Sequence, residues 1–380
     1  MNSISESINK TSYAKGPLVR TMAVKKMKCG SVVSGKMAKG CEHCMNGSKM
    51  VLFVTGRCGT GCFYCPVSDE KKGKDVIYAN EQMITNTEDV ISEAGYMDAT
   101  GTGITGGDPL TDMRRTVSMI RMLKERFGKE HHIHLYTSTI DLEKTLELEK
   151  AGLDEIRFHP PIGVWRSVER TGLGNIFSKT KMDAGVEVPA IPDLASDLEI
   201  LIGDVIRLGV GFININELEF SESNWEMMSS RQYELKDDVS AAISGSAELA
   251  KKIIKKFPGA NIRFCSSSFK DSVQLRKRLI RTAEKNAREF DIVTKDGTVV
   301  IGLVYANDLE DAAELLRSEY EVPDELMFVD RVKNRIETAA WIVEEIACEL
   351  PFKCYVVEEY PTADRLEVER TPLPSCSDNE

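Results

Sequence analysis

Three cysteines, Cys58, Cys62 and Cys65, stand within eight residues in the stretch TGRCGTGCFYCPVSDE, directly after the apolar run MVLFVTG. The next cysteine along the chain is Cys265. Thiolates at this density bind iron–sulfur clusters or zinc. A [4Fe–4S] cubane has four irons, and a ferredoxin fills all four with cysteine. Three thiols from one loop leave one iron free to take a small molecule. A structural zinc, which wants four protein ligands, is the competing use of the same residues.

Other residues of suitable type lie at the ends of apolar runs. GITGGDPL places Gly106, Gly107, Asp108 and Pro109 after a strand-like segment. Glycine is suited to a turn where another group must approach the backbone closely. HLYTS ends in Thr137 and Ser138, and RFHP carries Arg157 and His159 on one face by the period of two. In GFININELEF the alternation sets Asn214 and Asn216 on one face and Glu217 on the other. A strand buried on both faces should be apolar throughout, so these amides and carboxylates mark a polar ligand or a solvated strand end. His159, Asn214, Asn216, Glu217 and Cys265 are therefore candidate catalytic residues, and Cys265 has a buried structural thiol as its plainer reading.

A second trio, Cys29-x11-Cys41-x2-Cys44, lies upstream in a Gly- and Lys-rich segment without helical periodicity. It reads as a loop-rich knob stapled by zinc or by an additional iron–sulfur cluster. His43, Cys265, Cys348, Cys354 and Cys376 are the alternatives for a fourth ligand.

Cys-x3-Cys-x-Tyr-Cys after a first strand, followed by Gly-Gly-Asp-Pro after the second, resembles the signature of the radical S-adenosylmethionine (AdoMet) superfamily. Stretches such as VLFVTGRC, KDVIYANE and YPTADRLEVER resemble an archaeal-type group related to pyruvate formate-lyase activating enzymes. The resemblance implies that Cys58, Cys62 and Cys65 ligate a [4Fe–4S] cluster whose open iron chelates AdoMet. The reduced cluster then cleaves AdoMet to methionine and a 5′-deoxyadenosyl radical that abstracts hydrogen from a substrate. It also implies that Tyr64 lies near the adenine, and that Gly106, Gly107, Asp108 and Pro109 meet the methionine end. Thr137 and Ser138 would lie near the ribose. Asp108 departs from the family's usual Glu by one methylene. An electron donor such as ferredoxin or flavodoxin is implied as partner. The substrate is not, and a glycyl-radical-enzyme activase is one option within the family. A non-catalytic zinc or iron–sulfur scaffold and an electron-transfer protein are the rivals from other classes.

The elements that must position these residues follow a regular rhythm. Short β-branched runs alternate with amphipathic stretches such as TEDVISEAGYMDA, TDMRRTVSMIRMLKERFG and DLASDLEILIGDVIRLG. Strand, helix, strand at this spacing predicts right-handed crossovers and a parallel sheet, curled into a partial or full (β/α) barrel. Two longer connections, PIGVWRSVERTGLGNIFSKTK and SESNWEMMSSRQYELKDDVSAAISGS, interrupt the rhythm and read as lids or surface elaborations. After about residue 290 the pattern changes, with a hairpin expected around Asp296-Gly297. The expected division is a basic, Cys-rich extension over 1–49, a barrel over 50–290 and a small α+β domain over 291–380.

Charge and composition narrow the classes. The 380 residues carry a net charge of −11, which argues against non-specific nucleic-acid binding. Residues 1–49 run the other way, nine Lys/Arg against two Glu. They read as a mobile basic tail or as a patch for an anionic substrate or acidic partner. No apolar run approaches the ~20 residues of a membrane span, and the first residues lack a signal peptide's apolar core. The expected location is the cytoplasm, where clustered cysteines serve metals more often than disulfides.

Overall fold

The computed structural model describes residues 23–374. Its first strands, β1 (Val24–Lys26) and β2 (Val32–Ser34), form an antiparallel pair. The seven-residue helix Lys39–Met45 leads from them into β3 (Lys49–Phe53). A small hairpin, β4 (Tyr78–Ala79) and β5 (Gln82–Met83), follows the cysteine loop. Six further strands alternate with helices: β6 (Gly101–Thr105), β7 (His132–Thr137), β8 (Glu155–Phe158), β9 (Asp183–Ala190), β10 (Phe212–Glu217) and β11 (Ile262–Cys265).

From β3 through β6, β7, β8, β9 and β10 to β11, every neighbouring pair is parallel. Antiparallel β2 extends the β11 end and β4 the β3 end, and the path does not close on itself. The architecture is α/β with a mostly parallel central sheet. The crossover helices bury apolar stripes on its outer face, such as Val117, Ile120 and Leu123 of Met113–Phe127. The inner face is polar, with His132, His134, Glu155, Arg157 and Asn214 all buried.

Two expectations need correction. Residues 24–49 are not a loop-rich knob: β2 joins the central sheet, and the helix Lys39–Met45 packs against the inner face. Gly40 N donates to Glu155 Oε2 (2.9 Å), and a Cβ on Gly40 would lie 2.5 Å from His134 Nδ1. Its sequence lacks an apolar period because its surroundings are polar. PIGVWRSVERTGLGNIFSKTK is not a lid either. It is the β8–β9 crossover, and Trp165, Val168, Leu173 and Ile176 are fully buried in the main core. Residues 1–22 and Cys376 lie outside the described residues.

Beyond β11 a continuous helical stretch from Ser267 to Asn286, with a π-helical middle at Lys270–Leu275, crosses to the other end of the sheet. There a Cβ on Gly47 would meet the Lys277 carbonyl carbon at 2.5 Å, and Arg281 and Asn286 donate to the carbonyls of Asp98 and Tyr96. The remaining chain forms β12 (Ile292–Val293), β13 (Val299–Tyr305), β14 (Met327–Asp330), β15 (Arg335–Thr338), β16 (Lys353–Glu359) and β17 (Glu367–Pro372). These make an antiparallel sheet with its own core under the helices Leu309–Ser318 and Ala340–Ile346. The hairpin at Asp296-Gly297 is present, with Gly297 at φ +87°. No helix among the described residues is long and apolar enough to cross a membrane.

Candidate active site

The cysteine loop leaves the C-terminal end of β3. Cys58 is exposed, Cys62 and Cys65 are half-buried, and Cys65 N donates to Cys62 O (3.1 Å) to form the turn between them. Burial pushes the Cys62 thiol up, hydrogen bonding to Tyr64 and Thr60 opposes this, and the neighbouring Cys65 and Cys58 add to it. The Gly-Gly-Asp turn is hydrogen-bonded to the segment entering this loop: Gly107 N to Thr55 O (2.7 Å) and Asp108 N to Arg57 O (2.8 Å). A Cβ on Gly106 would lie 2.5 Å from Thr55 O, and one on Gly107 2.4 Å from Arg57 O. The close approach that demands glycine here is made by the cysteine loop's own backbone.

Asp108 sits beneath that turn, 2% exposed. Its carboxylate accepts from Leu110 N (3.0 Å), Thr137 Oγ1 (2.7 Å), the backbone and hydroxyl of Ser138 (3.2 and 2.7 Å) and those of Thr139 (3.1 and 2.8 Å). The hydroxyls of Thr137 and Ser138 are therefore engaged by Asp108, and Pro109 is buried at the start of the following turn.

Deeper in the barrel, Tyr64 Oη lies 2.8 Å from His159 Nε2, and His159 Nδ1 lies 2.8 Å from the Glu187 carbonyl. A carbonyl only accepts, so Nδ1 carries the proton and Nε2 receives the Tyr64 hydroxyl's. Burial lowers the His159 pKa, so the ring is neutral at neutral pH. The Glu187 carboxylate takes bonds from Arg157 Nη1 (2.8 Å), Asn214 Nδ2 (2.8 Å) and Asn216 Nδ2 (2.9 Å). Burial would raise its pKa, but Arg157 and the two amides hold it below the usual carboxylate range. Arg157 also donates to Glu155 (2.6 Å). Glu187 is the residue that sequence reasoning missed, although a lone carboxylate in VEVPA was a visible signal.

Glu217 faces away from this group and ties Ser267 N (2.8 Å) and Lys236 (3.5 Å) instead. Cys265 pairs with Asn216 across β10 and β11, and burial pushes its thiol up to about 11. The connection after β10 covers the cysteine loop. Asn224 Nδ2 donates to Tyr64 O (3.2 Å), Ser223 Oγ to Cys65 O (3.3 Å), and the Arg231 guanidinium lies 3.9 Å from the Phe63 ring centre.

The comparisons with known proteins bear on this arrangement. The family model of the radical SAM superfamily matches residues 52–161, the span holding both the cysteine loop and the Gly-Gly-Asp turn. A Methanocaldococcus jannaschii protein, provisionally named as a glycyl-radical enzyme activating enzyme, is 41% identical over 357 residues, covering 89% of this chain and 93% of the relative. The chain belongs to the radical SAM superfamily. A further family model, described as a domain of unknown function (DUF8061), matches residues 297–373.

This radical SAM protein is an enzyme, in the group related to pyruvate formate-lyase activating enzymes, and its cofactors are a [4Fe–4S] cluster and AdoMet. The donor chemistry of its loop suits the cluster: three soft thiols, mutually close enough to perturb one another, on one turn at the mouth of the sheet. As the side chains stand, no three His, Cys, Asp or Glu among the described residues surround a common point. The upstream trio is spread out. Cys29 is exposed on the β1–β2 turn, Cys41 Sγ lies 3.4 Å from Arg157 Nη2 inside the barrel, and Cys44 is half-buried. Of the fourth-ligand alternatives, His43 stacks on His132 (5.3 Å), Cys265 lies beside Arg263, and Cys354 is buried in the second core. Cys348 is exposed after the helix Ala340–Ile346.

Proposed function

We propose that this enzyme generates a glycyl radical on a partner protein, with Cys58, Cys62 and Cys65 holding the cluster. The carrying observation is the full-length similarity to a relative whose name assigns it that role. Bound at the loop, cluster and AdoMet supply a hydrogen-abstracting 5′-deoxyadenosyl radical after one-electron reduction by a donor of the ferredoxin or flavodoxin class. The chain's own part is positional. Asp108 fixes the Gly106–Gly107 turn against the loop, the Tyr64–His159 bond ties the loop to β8 and β9, and residues 223–233 cover its Phe63–Cys65 end. Asn214, Asn216 and Cys265 border the space that a substrate group would enter. A cytoplasmic location and a division at residues 290/291, with residues 24–49 counted into the barrel, belong to the same reading.

The test is isotopic. Anaerobic enzyme, dithionite and AdoMet are mixed with extract of cells grown on α-deuterated glycine, and 5′-deoxyadenosine is analysed by mass spectrometry. Deuterium in that product is expected, together with no product at all from Cys62→Ala, because two thiolates do not hold the cubane. Product without deuterium removes the glycine assignment, and product from Cys62→Ala removes the ligand assignment.

A further inference from the structure

One side of the barrel carries more positive charge than its carboxylates answer. The opening between β3 and the helical stretch after β11 contains a cavity of about 190 Å³ lined by Cys44, Lys49, Lys270, Gln274 and Arg278, with no acidic residue on its wall. Lys270 pairs with Glu219, and Arg278 with Glu81. Lys49 has no carboxylate at ion-pair distance among the described residues. Behind Gln274 lies Cys265 Sγ (3.6 Å), and 3.9 Å beyond it Nη2 of Arg263. Arg263 is 3% exposed and likewise lacks a carboxylate partner, and its Nε has no hydrogen-bond partner at all. A buried guanidinium without a counter-charge is costly, and so is a buried donor without an acceptor. Three cations, Lys49, Lys270 and Arg278, answered by two carboxylates, and the Gln274 amide thus line a space large enough for a small oxyanion, with Arg263 adding positive charge from behind the wall.

We propose that this cavity binds a phosphate group. A phosphomonoester carries about −1.5 to −2 charges and three acceptor oxygens, which the donors of Lys49, Lys270, Arg278 and the Gln274 amide can share, whereas a carboxylate offers two oxygens and a single charge. The site is distinct from the cluster loop. Lys49 opens β3 and the loop follows Phe53, so the two lie about 13 Å apart along the strand at ~3.3 Å per residue. It goes beyond the activase reading and stands whether or not the hydrogen donor is a protein.

The probe is inorganic phosphate, titrated calorimetrically into anaerobic enzyme at low ionic strength, with chloride and acetate at matched ionic strength as controls. One saturable phosphate site is expected. Loss of a charged donor predicts affinity about tenfold or more weaker in Lys49→Gln. Arg278→Gln, a substitution nearer the surface, is expected to weaken it too, which guards against a folding defect in the first variant. Methyl phosphate binding as well as phosphate assigns the site to a phosphate ester, and methyl phosphate failing where phosphate binds assigns it to the free ion. No heat beyond the chloride control, equal binding of acetate, or unchanged affinity in both variants overturns the proposal.

Discussion

At the scale of single residues, Asp108 holds the densest set of bonds at the mouth of the barrel. Its carboxylate accepts six hydrogen bonds from four residues, three of them at the end of β7 and just after it. Asp108→Ala strands several of these donors in a buried place, each hydrogen bond to the charged group being worth about 1.5–3 kcal/mol. Urea denaturation should show a loss of about 4 kcal/mol or more, against about 1.5–3 kcal/mol for Thr137→Ala, which removes one donor. Equal small losses in both would show that the carboxylate is not the hub. The motif around Asp108 was legible from spacing. Its partners were not, because a turn's fourfold ligation depends on which strand ends lie side by side. Glu187 was hidden for the same reason: its meaning comes from Arg157, Asn214 and Asn216 on two neighbouring strands.

At the scale of elements, the short helix Lys39–Met45 shows where sequence periodicity loses its grip. The crossover helices announce themselves by apolar stripes against the sheet's outer face, and the sequence reading finds them at nearly their observed positions. The short helix packs on the polar inner face, so Gly, Cys and His stand where a stripe would need Leu. Its fit can be tested by the sign of two glycine substitutions. In isolation Gly→Ala stabilises a helix by roughly 0.5–1 kcal/mol. Gly95, near the end of the helix Thr87–Tyr96, has nothing within 4 Å of an added Cβ, and Gly95→Ala should realise that gain. At Gly40 the added carbon meets His134 and Arg157 Nη2 at 2.5 and 2.7 Å. Arg157 cannot yield cheaply because Glu155 and Glu187 both hold it. Overpacking of this kind costs typically 1–3 kcal/mol, which outweighs the propensity gain. Gly40→Ala should therefore lower the thermal midpoint while Gly95→Ala raises it. A rise in both would place the helix away from the inner face.

At the scale of the whole molecule, the strand–helix rhythm gave the parallel sheet, but nothing in it showed that all five histidines would be kept neutral by the fold. His43, His131, His132, His134 and His159 all have lowered pKa values, with burial the largest cause in each. For His131, Lys124 and His43 add to burial while Asp154 opposes, and for His132 Asp154 again opposes. Both fall to about 4 from 6.5. Below pH 6.5 the unfolded chain binds protons at these two positions and the folded one does not. Stability is thus intact above 6.5 and drains away as pH falls toward 4. At pH 5 each group has lost about 1.5 units' worth, roughly 2 kcal/mol, so the pair accounts for about 4 kcal/mol. Glu187 and Glu337, whose pKa values are lowered, act in the same direction but only below about 4.5. Glu93 and Asp271, raised by burial, act in the opposite direction above their ordinary values, but equally in wild type and in a histidine variant, so the difference between the two proteins from pH 6.5 to 5 reports the histidines. Urea unfolding at pH 7 and pH 5 should show a large drop in wild-type stability. That drop should shrink by about 4 kcal/mol in the His131→Gln, His132→Gln double variant, even where the variant is weaker at pH 7. Comparing the two proteins in the same cluster-loaded state cancels acid loss of the cluster. An identical drop in both would show that the two rings are protonated in the fold and that the barrel floor is wetter than its burial indicates.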